Sequence, residues 1–265
     1  MKRNIITLLT DFGEKDPYVA AMKGVILTIA PHVKIIDITH NITKFNIREG
    51  AFILASIIKY FPRNTIHVGV VDPGVGSLRK PIIAVTKRSI LIGPDNGLLM
   101  LAAEREGLLK VLEIKRHKFL LEEVSYTFHG RDIFAPVAAY IANGVKPEEI
   151  GEEVEEYVKL PFPKPRILKK KIIGEIIHID DFGNIITNIS IKELQKKSIS
   201  IGSEITVEIH GEKEKLNLKD SYSKVEVEQT LAIIDSFNLL EIAVNQGNAA
   251  RKYNVKVGEK ITVTF

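Results

Sequence analysis

From the N-terminus to about residue 150, short apolar blocks alternate with longer segments of helical spacing. The blocks at 4–9, 34–38, 66–71, 82–86, 89–92 and 110–114 are rich in Ile, Val and Leu and bounded by turn residues, which predicts strands. Between them, 18–29, 47–60, 98–106 and 133–142 carry apolar residues at helical intervals. Pro31, Pro62, Gly107 and the pair Asn143-Gly144 supply the stops. Strands alternating with helices imply crossover units, and so an α/β N-terminal domain on a mostly parallel sheet.

The pattern then changes. Leu160-Pro161-Phe162-Pro163-Lys164-Pro165 spaces prolines so that backbone donors are lost and helix is blocked, which predicts a stiff linker. Beyond it come short strand-like runs at 171–179, 185–189, 205–209, 213–218, 230–234, 239–244 and 260–265. They predict a smaller all-β domain, barrel-like in architecture. The expected division is an α/β domain at 1–160, a Pro/Lys-rich linker at 161–170 and a β-barrel domain at 171–265.

Composition removes several classes of function. Of the 265 residues 45% are hydrophobic, enough for a sizeable core. The net charge of +4 is not gathered into one patch; Lys169-Lys170-Lys171 is the densest run and has no interleaved aromatics, which argues against nucleic-acid binding. There is no cysteine, so disulfides and thiolate metal sites are excluded. The seven histidines are scattered and no His-Glu-x-x-His occurs, so no metal site is expected. No apolar stretch is long enough to span a bilayer and no segment resembles a signal peptide, so a cytoplasmic location without membrane association is expected. Neither a phosphate-binding Gly-x-x-x-x-Gly-Lys loop nor a Gly-x-Ser-x-Gly elbow is present.

What remains is a set of polar loops at element ends. Asp11, in Thr10-Asp11-Phe12-Gly13, follows the first strand, and Asp72, in Val71-Asp72-Pro73-Gly74-Val75-Gly76-Ser77-Leu78-Arg79, follows a later one. In open α/β sheets ligands bind outside the carboxyl ends of the strands, where a carboxylate can take two hydrogen bonds from a vicinal diol. Each Asp also suits a turn or a helix cap, and Asp16 before Pro17 suits capping as well as binding. Gly93-Pro94-Asp95-Asn96-Gly97 reads as a turn leading into a helix. His129 lies in Thr127-Phe128-His129-Gly130-Arg131-Asp132, where it could do acid–base or orienting work, while Arg131 and Asp132 suit local pairing and capping. In the second half, Asp180-Asp181-Phe182-Gly183-Asn184 joins two strands, with a ring that could stack on a base and an amide that could read its edge. Ser236 and the turn Asn245-Gln246-Gly247-Asn248-Ala249-Ala250 are further candidates. Asp-Phe-Gly occurs at both Asp11 and Asp181, but the other protein-kinase signatures are missing.

Taken in order, these six loops resemble those of the S-adenosyl-L-methionine hydroxide adenosyltransferases, hydrolytic relatives of the fluorinating and chlorinating enzymes that use the same substrate. The resemblance implies an α/β domain followed by a β-barrel domain, in a homotrimer with its nucleoside sites at subunit interfaces. It implies hydrolysis of S-adenosylmethionine (SAM) to adenosine and L-methionine, with SAM as substrate and no separate cofactor. Asp72, Arg79 and His129 would form the catalytic triad. Asp11 would bind the ribose, and Phe182, Asn184 and the backbone of Asn248 and Ala249 the adenine. Asp16, Asp181 and Ser236 would face the methionine part. In the halogenating relatives a Tyr stands where Asp72 is, and the fluorinating ones carry a Ser in place of Gly130 and an inserted loop. The alternatives are a SAM-dependent halide adenosyltransferase and a SAM or adenosine sensor without turnover.

Overall fold

In the computed structural model, which describes residues 5–265, the chain divides between Leu160 and Pro161. The first unit contains β1 (Ile5–Thr10), α1 (Tyr18–Ile29), β2 (Lys34–Thr39), α2 (Ile47–Ile57), β3 (Ile66–Val70), β4 (Pro81–Thr86) and β5 (Ile90–Pro94). It continues with α3 (Met100–Arg105), β6 (Leu108–Ile114), α4 (Ala135–Ala142), α5 (Pro147–Ile150) and β7 (Gly151–Glu153). The strands form one sheet in the order β2-β1-β3-β5-β4-β6-β7. Neighbours among β2, β1, β3 and β5 are parallel, and β4 and β7 run against the rest. The sheet is therefore mostly parallel, as its alternating pattern predicts. Asn4, the first residue of the predicted opening strand, lies outside the described residues.

Alternation along β1 explains the layering. Ile6 and Leu8 join Met22 and Ile26 of α1 and Val137 and Ile141 of α4 in one buried cluster. On α2, Gly50 sits so close to Leu98, Val71 and Leu9 that a Cβ would lie 2.8 Å from the Leu98 side chain. Each fully buried Leu or Ile contributes about 1.5–3 kcal/mol, most of it offset by chain entropy. His67 belongs to this interior: it is fully buried, it shares a 2.8 Å hydrogen bond with Thr7, and burial pushes its pKa down to about 4, so it stays neutral.

The second unit contains β8 (Arg166–Ile167), β9 (Lys171–Ile179), β10 (Ile185–Ser190), α6 (Ile191–Gln195), β11 (Glu204–Ile209) and β12 (Glu212–Lys219). β13 (Thr230–Ile234), β14 (Leu239–Val244), α7 (Ala249–Tyr253) and β15 (Lys260–Thr264) complete it. The order β9-β10-β14-β13-β12-β11-β15 returns to β9 and closes a seven-strand barrel, with β12 and β13 as its parallel pair. Inward-facing Ile172, Ile176, Ile185, Ile205, Val207, Ile261 and Val263 fill it. Closure removes the free edges that an open sheet would expose.

Part of the expected linker is tied down. Arg166 and Ile167 pair with Ile173 and Ile172, and the Pro163 carbonyl accepts from Asn188 Nδ2 at 2.8 Å. The two-residue strand and the short helices α5, α6 and α7 escape the sequence pattern because so few residues display no period. Among the described residues no helix is long and apolar enough to cross a membrane.

Candidate active site

β1 and β3 are parallel neighbours in which Thr10 pairs with Val70, so Asp11 and Val71-Asp72 leave the sheet at the same carboxyl edge. The loop after β5 is fastened beside them: Asn96 Nδ2 donates to the Val71 carbonyl at 2.8 Å. Asp95 accepts the Val158 N–H at 2.8 Å, and burial holds its carboxyl above the ordinary value although that bond opposes the shift. The Gly93–Gly97 segment thus serves as a structural turn.

The loop after Asp72 turns back on itself through Val75 N–H to Asp72 O and Ser77 N–H to Gly74 O. Arg79 is thereby returned to Asp72. Its Nε donates to both carboxylate oxygens at 3.0 Å, and Nη2 donates to Oδ2 at 2.5 Å. Both side chains are buried, 10% and 5% exposed. Nη2 also lies 2.7 Å from His129 Nδ1. A guanidinium has no lone pair to accept with, so Nδ1 must accept and the imidazole is neutral, with its proton on Nε2. Burial lowers the His129 pKa, the Arg79 charge lowers it further, and Asp72 opposes both. The guanidinium carbon stands 5.4 Å from the centre of the Phe134 ring. One group is left over: Arg79 Nη1 is buried and has no acceptor among the described residues. A buried donor without a partner costs about 1–3 kcal/mol, which makes this nitrogen a candidate contact for an acceptor.

His129 is delivered by a second tightly folded segment. Gly130–Phe134 forms a wide π-helical turn ahead of α4, a form that concentrates at functional sites. Asp132 is fully buried and accepts from Ser125 N–H at 2.9 Å and from Arg131 Nε at 2.6 Å, so Arg131 and Asp132 pair locally. Gly76 brings the two segments together. It has φ +77°, and a Cβ on it would lie 2.3 Å from the Tyr126 carbonyl oxygen. A cleft of about 410 Å³ is lined by Phe12, Tyr18, Ser125, Thr127, Phe128 and Arg131, of which Phe128 is the sequence neighbour of His129. Gly130 borders this group: a Cβ there would meet Met22, Phe128 and Phe12 at 3.2–3.4 Å.

Asp11 is 5% exposed and accepts the Phe45 N–H on Oδ2 at 2.9 Å, while its carbonyl takes the Lys44 ammonium. Asp16 is exposed and caps nothing, since Pro17 occupies the cap of α1 and no side chain bonds there.

The barrel carries the other candidates. Asp180 accepts the Asn184 N–H on Oδ1 at 2.8 Å and Asn184 Nδ2 on Oδ2 at 3.0 Å. Asp181 is exposed, the Phe182 ring is 78% exposed and Asn184 is buried. This turn meets the one before α7: Ala250 N–H donates to the Gly183 carbonyl at 2.9 Å, and a Cβ on Gly183 would overlap the Asn248 amide. Asn248 Oδ1 caps α7 by accepting from Arg251 N–H, and Ala249 is fully buried. Ser236 lies exposed in the turn between β13 and β14. Nearby, the sequence pattern missed Glu241, which it absorbs into an apolar strand. Burial pushes Glu241 up to about 7, against a 2.7 Å hydrogen bond from the Tyr222 hydroxyl. Phe134 and Ser125 also escape sequence reasoning, while Gly76 and Asp180 appear in the sequence only as parts of their loops, without the roles they take here.

An α/β domain with a buried carboxylate–guanidinium–imidazole cluster at its strand ends, followed in the chain by a closed barrel with paired polar turns, defines a two-domain small-molecule protein. The chain belongs to the SAM hydroxide adenosyltransferase family, whose N-terminal domain matches residues 6–151 and whose C-terminal domain matches 174–262. It is 40% identical to the (R)-S-adenosyl-L-methionine hydrolase of Methanocaldococcus jannaschii, over 99% of this chain and 96% of that one. A fluorinase of Actinoplanes sp. is more distant, at 28% identity over 98% and 97% of the two chains. The crystal structure of an uncharacterized conserved protein from Thermotoga maritima superposes with a TM-score of 0.95 at 38% identity, covering 98% of this chain and all of that one.

Two outcomes test the cluster. In an NMR titration His129 should titrate below 6.5, and Arg79→Gln should raise its pKa by removing a neighbouring cation. A depressed histidine pKa stabilises the fold fully above about pH 6.5, and that contribution is lost as the pH falls towards the lowered value. An unmoved titration would mean that the two side chains do not touch. Gly76→Ala should destabilise the α/β domain by at least about 1 kcal/mol in denaturant unfolding and bring the His129 pKa back towards its ordinary value. Wild-type behaviour of both would remove Gly76 from its positioning role.

Proposed function

We propose that this protein hydrolyses S-adenosyl-L-methionine to adenosine and L-methionine, an oxygen nucleophile attacking ribose C5′ as neutral methionine leaves. The observation that carries the reading is the buried Arg79 Nη1, which has no acceptor among the described residues and belongs to a guanidinium whose charge Asp72 offsets only in part. A water or hydroxide accepting from it would be held by charge and hydrogen bonding, and its deprotonated form would be favoured. Both Asp72 oxygens and the His129 Nδ1 lone pair are engaged by Arg79, so the cluster suits holding hydroxide more than imidazole base catalysis. Sulfonium departure needs no general acid. Hydroxide and sulfonium cancel each other's charge, so a site screened from water favours the step. Fixing the nucleophile beside C5′ supplies much of the remaining acceleration.

In this reading Asp11, steadied by Phe45 N–H, takes the ribose hydroxyls. Phe182 stacks on adenine, Asn184 reads its edge, and Asn248 and Ala249 contribute backbone groups. Asp16, Asp181 and Ser236 serve the methionine part. The reading includes a homotrimer with sites at subunit interfaces; the fully exposed Leu78 and the 82% exposed Tyr126 beside the cluster support a contact there. It also includes a cytoplasmic location, in keeping with a chain that has no cysteine.

Chromatography after incubation with SAM in halide-free buffer should show adenosine and methionine in equal amounts. Asp72→Ala and Arg79→Ala should lose at least about a hundredfold in rate, the scale of one positioned donor. A product formed only with chloride or fluoride present would point to halide transfer, and adenosine binding without methionine release to a sensor. Light scattering should give a mass about three times 29.6 kDa. A monomer that turns over at full rate would rule out a shared site.

A further inference from the structure

We propose that Asp180 is a positioning residue that fixes the polarity of the Asn184 amide, and that this makes the barrel turn selective for a 6-aminopurine over a 6-oxopurine. The inference rests on the nucleoside reading above and adds the feature of the base that is recognised.

Which end of an amide is oxygen follows from its partners. Asp180 presents one carboxylate oxygen to the Asn184 backbone N–H and the other, at 3.0 Å, to the Asn184 side-chain amide. A carboxylate only accepts, so the amide must turn its NH₂ towards Asp180. The reversed amide would set oxygen against oxygen at that distance. Asn184 is 7% exposed, so its amide has little room to turn. The turn is held further by the Ala250 N–H to Gly183 carbonyl bond.

What Asn184 keeps for a ligand is therefore defined. Among the described residues nothing donates to its Oδ1. Its second amide hydrogen is also uncommitted. An acceptor beside a donor complements the N6–H and N7 of adenine, whereas hypoxanthine offers acceptors at both O6 and N7. The neighbouring Phe182 ring, largely exposed, gives any purine a stacking surface and does not distinguish the two. Selectivity then falls to Asn184 and, behind it, to Asp180.

Titration calorimetry with adenosine and inosine on the full-length protein tests this. Wild type should bind adenosine about ten- to a hundredfold more tightly, the range for one bidentate amide–base contact. In Asp180→Asn the remaining oxygen stays with the Asn184 backbone N–H. The new NH₂ faces the Asn184 amide and draws its oxygen inward. The preference should then fall to parity or reverse. A merely structural role would weaken both nucleosides by the same factor and leave their ratio unchanged. Asp180→Ala, which releases the amide, should also bring the ratio towards one, and thermal melting confirms that each variant is folded. A wild type that binds both nucleosides equally, or an Asp180→Asn variant that keeps the full preference, overturns the inference and leaves the hydrolase reading standing. A wild type that binds neither nucleoside overturns both.

Discussion

The Arg79 guanidinium organises the α/β domain's functional edge. Five N–H groups in a rigid fork must each be aimed somewhere. Three of its contacts go to Asp72 and one to His129, and Phe134 covers its face. A buried ion pair adds little net stability, because desolvating the two charges offsets their attraction. What it supplies is direction. With Asp72 holding the fork, Nη1 has a fixed position, and His129 is confined to one protonation state and one tautomer.

That arrangement depends on close backbone approach more than on side-chain packing. Asp72 and His129 lie 57 positions apart in sequence, on segments that meet where Gly76 faces the Tyr126 carbonyl. A side chain at 76 would push the segments apart, and a displacement of a fraction of an ångström is enough to lengthen the 2.7 Å Arg79–His129 contact beyond hydrogen bonding. The barrel uses the same device within itself: Gly183 admits the Asn248 amide and lets two polar turns share one surface. In both domains the sheet or barrel core gives rigidity, while one glycine sets how closely two loops approach.

Much of this is visible in the sequence, for physical reasons. Strand and helix periods report burial directly, so the α/β-then-β order follows from Ile, Val and Leu positions alone. Asp11 and Asp72 stand out because each ends an apolar run. Asp72 and Arg79 share one loop in the sequence, but the contact between them requires the chain to fold back through Gly74 and Ser77, which no pattern displays. Asp132 and Arg131 satisfy each other locally, as their adjacency allows. Asp180 is hidden by its neighbour: two aspartates in a row look interchangeable, yet Asp180 accepts both Asn184 donors while Asp181 is exposed. Glu241 is hidden for the opposite reason, as a single carboxyl inside an apolar strand whose cost is visible only once the barrel closes around it.

In the proposed reading, the same geometry favours an oxygen nucleophile over a halide at this cluster. Asp72 neutralises most of the guanidinium charge, so what remains at Nη1 is a directional donor rather than a bare cation. A directional donor favours a compact acceptor that can itself hydrogen-bond. Hydroxide accepts there and can donate in turn, whereas a halide ion accepts but has no proton to donate. Removing the carboxylate would change this balance, exposing a full positive charge to the nucleophile. The carboxylate at position 72 therefore decides how much of the Arg79 charge reaches whatever group accepts from Nη1.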